Sequence, residues 1–312
     1  LLSYRIERKK PVLILIKNGY VIDPAANREG YYDILIEEDL VKKIDRSIPE
    51  EILEAREERS ERVLIDAAGK YIMPGFIDLH VHLREPGFEY KETIRTGSLA
   101  AAAGGFTTIC PMPNTKPAID SAERIRFLKD KAVREAVVNI LPVGCITLGQ
   151  GGRILTDIAS MADAGAVALS EDGKSVMDSA LYAKAMEKAE KAGIPILAHC
   201  EDKSLAGNGV MNAGKRAEEL GLEGISNAVE DIITARDILL AKASGAQLHI
   251  CHCSTADSAR FIEMAKEQGL PVTGEVCPHH FTLSDEDIPA DDANYKMNPP
   301  LRSPEDVRAI KE

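Results

Sequence analysis

The sequence predicts an α/β protein built as a TIM-like (β/α)8 barrel that lacks its last strand, with a small β portion ahead of it. Three observations carry this expectation. The chain has 312 residues, of which 45% are hydrophobic and 28% charged, an ordinary balance for a globular protein with a real core. Seven short apolar runs rich in Val, Ile, Thr and Cys alternate with Ala, Glu and Lys segments of helical period after Pro74, the pattern of repeated strand–helix units. Such barrels run to about 250 residues as one domain, so residues 74–312 form the barrel and residues 1–73 the small β domain.

In the first part, residues 12–72, the runs VLILI, YDILI, RVLID and KYIM alternate with the turns KNG and AAGK, which suits several short strands. The charged segment 50–62 is expected to loop out. The barrel strands are then FIDLHVH, FTTICPMP, VNILPVGCI, AVALSED, PILAHCE, QLHICHCS and PVTGEVCP. Caps mark the intervening helices: Asp120-Ser121-Ala122-Glu123 opens one and Gly193-Ile194-Pro195 closes another, since a hydroxyl caps a helix start and Gly then Pro ends a helix.

A formal charge of −12 excludes a general nucleic-acid binder, which neutralises phosphates with clustered Lys and Arg. The run VLILI is far short of the roughly 20 apolar residues of a membrane span, and the basic stretch before it lacks a signal-peptide layout, so a cytoplasmic protein acting on small molecules is expected. The six cysteines show no repeated CxxC framework and read as reduced, partly buried thiols. Cys251 and Cys253 flank His252, but strand alternation sends that histidine to the opposite face from both.

Functional groups of such a barrel sit at the C-terminal ends of its strands. Asp78, His80 and His82 share one face of the first strand by period-two alternation. Asp172 closes the fourth run in LSEDG, His199 the fifth in LAHCED and His252 the sixth in HICHCST. An HxH pair alone is weak, but four imidazoles and a carboxylate at one mouth are costly to bury without a shared purpose. Nitrogen and oxygen donors without thiolate suit zinc, with manganese or cobalt as substitutes. Two ions fit, one on His80 and His82 and one on His199 and His252, with Asp172 between them. His249, on the opposite strand face, is expected to pack against helices, and His279 and His280 in CPHHF are weaker ligand candidates.

HVHLREPG, GGFTTICPMPNT, LSEDG, LAHCED, HICHCST and MNPPLR, in this order, resemble the type I dihydroorotases of the amidohydrolase superfamily along nearly the whole chain. The resemblance implies a zinc-dependent hydrolase barrel beside the N-terminal part of a composite β-sandwich. It implies reversible hydrolysis of the cyclic amide of dihydroorotate to N-carbamoyl-L-aspartate, a step of pyrimidine synthesis. His80 and His82 correspond to ligands of one zinc, His199 and His252 to ligands of the other, and Asp172 to the bridging carboxylate, where hydantoinases and dihydropyrimidinases use a carboxylated lysine. Arg84, Asn114 and Asn298 match residues that hold the substrate. A guanidinium pairs with a substrate carboxylate in two-point geometry; Asn114 and Asn298, beside prolines, are equally turn residues, so their roles come from the resemblance.

In the family the general base is an aspartate ending the eighth strand, expected beyond Glu312. This chain alone is therefore expected to be nearly inactive. The rival readings are a related cyclic-amide hydrolase acting on uncharged rings, such as a dihydropyrimidinase, hydantoinase or allantoinase, and a non-catalytic scaffold for aspartate carbamoyltransferase. A homodimer and a complex with that transferase are the assemblies the resemblance offers.

Overall fold

In the computed structural model, which describes residues 12–54 and 61–312, the chain divides into two units that part between Gly75 and Phe76. The first unit is one mixed sheet. Strand β1 (Val12–Asp23) runs antiparallel to β2 (Arg28–Glu37), which pairs antiparallel with β3 (Leu40–Asp45). Strands β4 (Glu61–Asp66) and β5 (Tyr71–Ile72) both lie parallel to β1. Alternation in VLILI buries Leu13 and Leu15, which pack with Leu35 and Ile48 into the small core of this unit. Of the expected loop over 50–62, residues 50–53 form a short 3-10 turn and 61–62 begin β4. Residues 55–60, like the basic stretch ahead of VLILI, lie outside the described residues.

All seven runs expected after Pro74 form strands. They are β6 (Phe76–Val81), β7 (Phe106–Pro111), the pair β8 (Asn139–Ile140) and β9 (Val143–Cys145), β10 (Ala168–Ser170), β11 (Ile196–Ala198), and then β14 (Leu248–Ile250) and β15 (Val272–Gly274). Between β11 and β14 the chain makes an excursion containing the small parallel pair β12 (Met211–Asn212) and β13 (Gly224–Ile225). The third run is split at Leu141-Pro142, because proline has no N–H to give a ladder. Its halves pair separately, β8 with β7 and β9 with β10, so the parallel ladders run β6-β7-β8 and β9-β10-β11-β14-β15.

Helices α1 (Ile94–Ala103), α2 (Ala122–Glu135), α3 (Ile158–Ala164), α4 (Ser179–Ala192), α7 (Ala228–Ser244) and α8 (Ala256–Glu267) follow successive strands. Shorter helices α5 (Lys203–Ala206) and α6 (Lys215–Leu220) sit in the excursion, and α9 (Pro278–Thr282) and α10 (Pro304–Lys311) follow β15. The caps read from the sequence are in place: the Ser121 hydroxyl accepts from the Arg124 N–H, and Gly193 closes α4 in the left-handed region at φ 68°, a conformation glycine adopts without steric cost. Ile109, Ile125, Leu128, Met161, Leu169 and Ile196 are among the side chains of the continuous core between strands and helices. Each contributes roughly 1.5–3 kcal/mol by leaving water.

Among the described residues no ladder joins β15 to β6. An apolar cavity of about 490 Å³ is lined by residues of both strands, including Ile77 and Leu79 of β6 and Thr273 of β15. No helix of the described residues is long and apolar enough to cross a membrane.

Candidate metal centre

The strand ends after β6, β10, β11 and β14 bring His80, His82, Asp172, His199 and His252 together. His80 Nε2 is 3.1 Å from Asp172 Oδ1, His82 Nε2 is 3.7 Å from Asp172 Oδ2, and His199 Nδ1 is 3.9 Å from Asp172 Oδ1. His252 Nε2 lies 2.9 Å from His199 Nδ1. The carboxylate is the hub of the cluster.

Three imidazoles are aimed by a polar partner on the ring nitrogen that faces away from Asp172. His80 Nδ1 donates to Glu275 Oε1 at 2.8 Å, His82 Nδ1 donates to Asn114 Oδ1 at 3.2 Å, and His199 Nε2 donates to Glu201 Oε2 at 2.9 Å. This is how metal-binding histidines are usually held: the outer N–H bond fixes the ring's orientation and turns the other nitrogen inward. Asn114 serves two members at once, since its Nδ2 also donates to Asp172 Oδ2 at 2.6 Å. Asp172 is further steadied by Ser170, whose hydroxyl accepts from the Asp172 N–H, and by Gln150, which donates to the Asp172 carbonyl.

The electrostatics follow from burial and pairing. Burial lowers the pKa of His252 well below its ordinary value, and the neighbouring imidazoles His199 and His80 lower it further, which favours the neutral ring. His82 is lowered by burial and by the charge of Arg84. Burial also opposes charge on His80, but hydrogen bonds to Asp172 and Glu275 outweigh it and raise its pKa to about 9. For Asp172, burial acting to raise the pKa is overcome by His80, His199 and His82, so the carboxyl stays ionised.

The backbone bends where the site needs it. Arg84 (φ 60°) and His252 (φ 35°) lie in the left-handed region, a conformation costing non-glycine residues about 1–3 kcal/mol that tends to occur at functional sites. The loop after β6 is pinned to the loop after β7, because the Lys116 N–H donates to the Pro86 carbonyl. Gly87, at φ 95°, sits so close that any Cβ there would fall on the Lys116 carbonyl. Arg84 and Asn114, one on each loop, are thereby held in fixed relation. Asn298 is exposed, and its Nδ2 reaches Glu201 Oε2 at 3.4 Å. A cavity of about 550 Å³ opens over the cluster, lined by His80, His82, His252, Glu275, Met297 and Asn298 among others.

Two expectations are corrected here. His249 does not turn to the helices: its Nε2 lies 3.2 Å from Glu275 Oε2 and its Nδ1 2.8 Å from Thr273 Oγ1, so it props the carboxylate that props His80. Cys251 was expected to face away from the cluster's chemistry, yet its sulfur and ligand atoms of His80 and Glu275 lie within 4.8 Å of one another. The reason is that β14 ends at Ile250 and the chain turns at His252, so strict alternation no longer applies. Asp78, grouped with the histidines by alternation, spends its carboxylate on the His80 N–H at 2.9 Å. Glu201 and Glu275 were not singled out from the sequence, although both sit in runs that were, Glu201 two residues after His199 in LAHCED and Glu275 two residues before Cys277 in GEVCP.

The donor set fits a divalent cation. Ligand atoms of His80, Asp172 and His252 lie within 4.8 Å of one another, nitrogen and oxygen donors of the kind zinc takes. Comparison with known proteins agrees in class. The dihydro-orotase-like family matches residues 69–258. A dihydroorotase of Caldanaerobacter subterraneus subsp. tengcongensis is 48% identical over 299 residues, covering 96% of this chain and 67% of that protein. One of Staphylococcus epidermidis is 47% identical over 298 residues, covering 96% and 68% respectively. In fold, the L-hydantoinase (dihydropyrimidinase) of Arthrobacter aurescens superposes with a TM-score of 0.76 at 24% identity, over 95% of this chain and 65% of that one. The chain thus spans about two thirds of the length of the relatives it matches.

Proposed function

The chain belongs to the dihydroorotase family of the amidohydrolase superfamily, metal-dependent hydrolases of cyclic amides, and from that membership we propose that the histidine–aspartate cluster is where the ring amide of dihydroorotate is opened to N-carbamoyl-L-aspartate and re-formed. In this reading residues 74–312 belong to a (β/α)8 barrel and residues 1–73 to the N-terminal part of a composite β-sandwich. Two zinc ions would be held, one by His80 and His82 and one by His199 and His252, with Asp172 available to both.

Bound divalent ions would supply two things, a water acidified to a pKa of about 7 and a polarised amide carbonyl. The residues do the rest. Glu275, Asn114 and Glu201 keep three imidazoles turned inward, and ionised Asp172 supplies the anionic donor between them. Arg84 offers its guanidinium fork to the ring's carboxylate, with Asn114 and Asn298 placing the ring. A cytoplasmic place in pyrimidine synthesis, and assembly as a homodimer or with aspartate carbamoyltransferase, belong to the same reading.

The observation that carries the reading is that three imidazoles are each hydrogen-bonded on the outer nitrogen while the inner nitrogen faces one carboxylate. The test is the full-length protein stripped of metal by chelator and then restored with zinc, assayed for carbamoyl aspartate formed from dihydroorotate and for opening of uncharged dihydrouracil and hydantoin. Zinc-dependent turnover of dihydroorotate alone supports the proposal. Preference for the uncharged rings would remove Arg84's role and the substrate with it.

A further inference from the structure

Immediately after β15 the chain reads Cys277-Pro278-His279-His280, and here a second set of soft donors comes together. One ligand atom from each of Cys277, His279 and His280 lies within 4.8 Å of the other two. None of the three belongs to the cluster around Asp172. The rings of His279 and His280 stand 4.3 Å apart by centroids.

His280 is the telling member. It is only 2% exposed, and its Nε2 donates to the Pro299 carbonyl at 2.9 Å. That bond commits the proton to Nε2 and leaves Nδ1 a bare lone pair, and this buried Nδ1 has no hydrogen-bond partner. Native interiors rarely leave such an atom unsatisfied without an ion, a water or a functional use. An Nε2–H bonded to a backbone carbonyl with a free Nδ1 is the arrangement that prepares a histidine to bind metal.

We propose that Cys277, His279 and His280 form a separate soft-cation site that takes Zn2+ through one thiolate and two imidazoles, leaving a fourth position open to the cavity. Thiolate sulfur and imidazole nitrogen are both donors that zinc takes. Access is available, because Cys277 and His279 line the same cavity of about 550 Å³ as His80 and His82, and both are partly exposed. Burial, with help from the charges of Glu275 and Asp78, pushes the Cys277 thiol up to about 11, so a cation entering the site must displace the thiol proton. Burial holds His280 down to about 4, which keeps it neutral and ready to ligate.

The whole chain, stripped of metal and kept reduced, is titrated with Co2+ and followed by difference spectra at wavelengths longer than the tyrosine band, where thiolate-to-cobalt charge transfer absorbs. The nitrogen and oxygen donors around Asp172 contribute nothing there, so the test is independent of the proposed dihydroorotase activity. The charge-transfer band is expected in the parent, lost in Cys277→Ser, and shifted to higher Co2+ concentration in His279→Gln, with far-ultraviolet dichroism unchanged. A band that survives Cys277→Ser undiminished arises from another thiol, such as Cys251 beside His80 and Glu275, and overturns the proposal, as does a parent with no band. A variant-free arm reads the same site: Zn2+ is expected to protect Cys277 of the parent from alkylation, mapped by mass spectrometry. Unhindered alkylation in excess Zn2+ overturns it too.

Discussion

His80 Nδ1 donates to Glu275 Oε1 at 2.8 Å, a bond between β6 and the segment just after β15, two strands that share no ladder among the described residues. Glu275 also takes His249 Nε2 at 3.2 Å and the His252 N–H at 3.3 Å. One carboxylate therefore aligns the first histidine of the cluster with the last.

Replacing that carboxylate by its neutral isostere tests the alignment. In Glu275→Gln the shape is kept, but the anion that polarises His80 is gone. Outer partners of metal-binding histidines are worth about 10–100-fold in affinity, and a loss of that size is expected when zinc is withdrawn by graded chelator competition. Secondary structure should not change, since no ladder depends on the side chain. An affinity equal to the parent's would mean that His80 is not a ligand.

Asp172 is the hub, and its removal should do more. Asp172→Asn keeps the bulk and takes away the one anion facing His80, His82 and His199. The expected result is loss of at least one equivalent of zinc by elemental analysis. In the parent, zinc should raise the melting temperature, because a ligand at 100 times its Kd stabilises by about 2.7 kcal/mol. In Asp172→Asn that shift should largely vanish.

How far the sequence reached depends on which force decides each feature. The seven strands were legible because a short run of Val, Ile, Leu and Cys, buried at every position in several of them, is a local property of the sequence. The split at Leu141-Pro142 was written in the proline but has meaning only once two ladders claim the halves. That the four histidines would gather around Asp172 was legible because strand ends in such a fold share one rim. Glu275 was not: its partner is set by what stands across the cavity, and nothing near it in the sequence announces a histidine 195 positions away. Glu201 was overlooked although it lies two residues from His199, its partner. Cys251 and His249 were misjudged for a related reason, since the turn at His252 (φ 35°) resets the alternation on which both expectations relied.

Away from the metal cluster, Asp237 on α7 gives a pH signature. Burial raises its pKa from the ordinary 3.8 to about 6, despite Arg236 Nε donating to Asp237 Oδ1 at 2.8 Å. A carboxyl raised on folding binds its proton more tightly in the native state, so its stabilising contribution is complete below about 3.8 and is lost as pH rises through about 6. Asp237→Asn cannot titrate. Its stability deficit relative to the parent should therefore be largest near the acid end of this window and shrink towards neutral pH in denaturant melts. A deficit that widens with pH would show that the Arg236 pair, not burial, governs Asp237.

The final expectation concerns Arg302 of MNPPLR, only 2% exposed. Its guanidinium donates to Ser254 Oγ at 3.0 Å, Asn212 Oδ1 at 3.2 Å and the Ile225 carbonyl at 3.0 Å, and lies 3.6 Å from Glu230 Oε2. Glu230 is itself buried and accepts from the Ser254 and Thr255 N–H groups at the start of α8. Arg302→Met leaves that carboxylate buried without its cation, and breaking a buried pair from one side costs about 3–5 kcal/mol. Adding Glu230→Gln removes the stranded charge, so the double variant should recover part of the loss even though it retains fewer native groups. The urea midpoints of the parent, both single variants and the double variant give the coupling directly. Additive losses would mean that Arg302 is held by its neutral acceptors and that Glu230 contributes nothing to its burial.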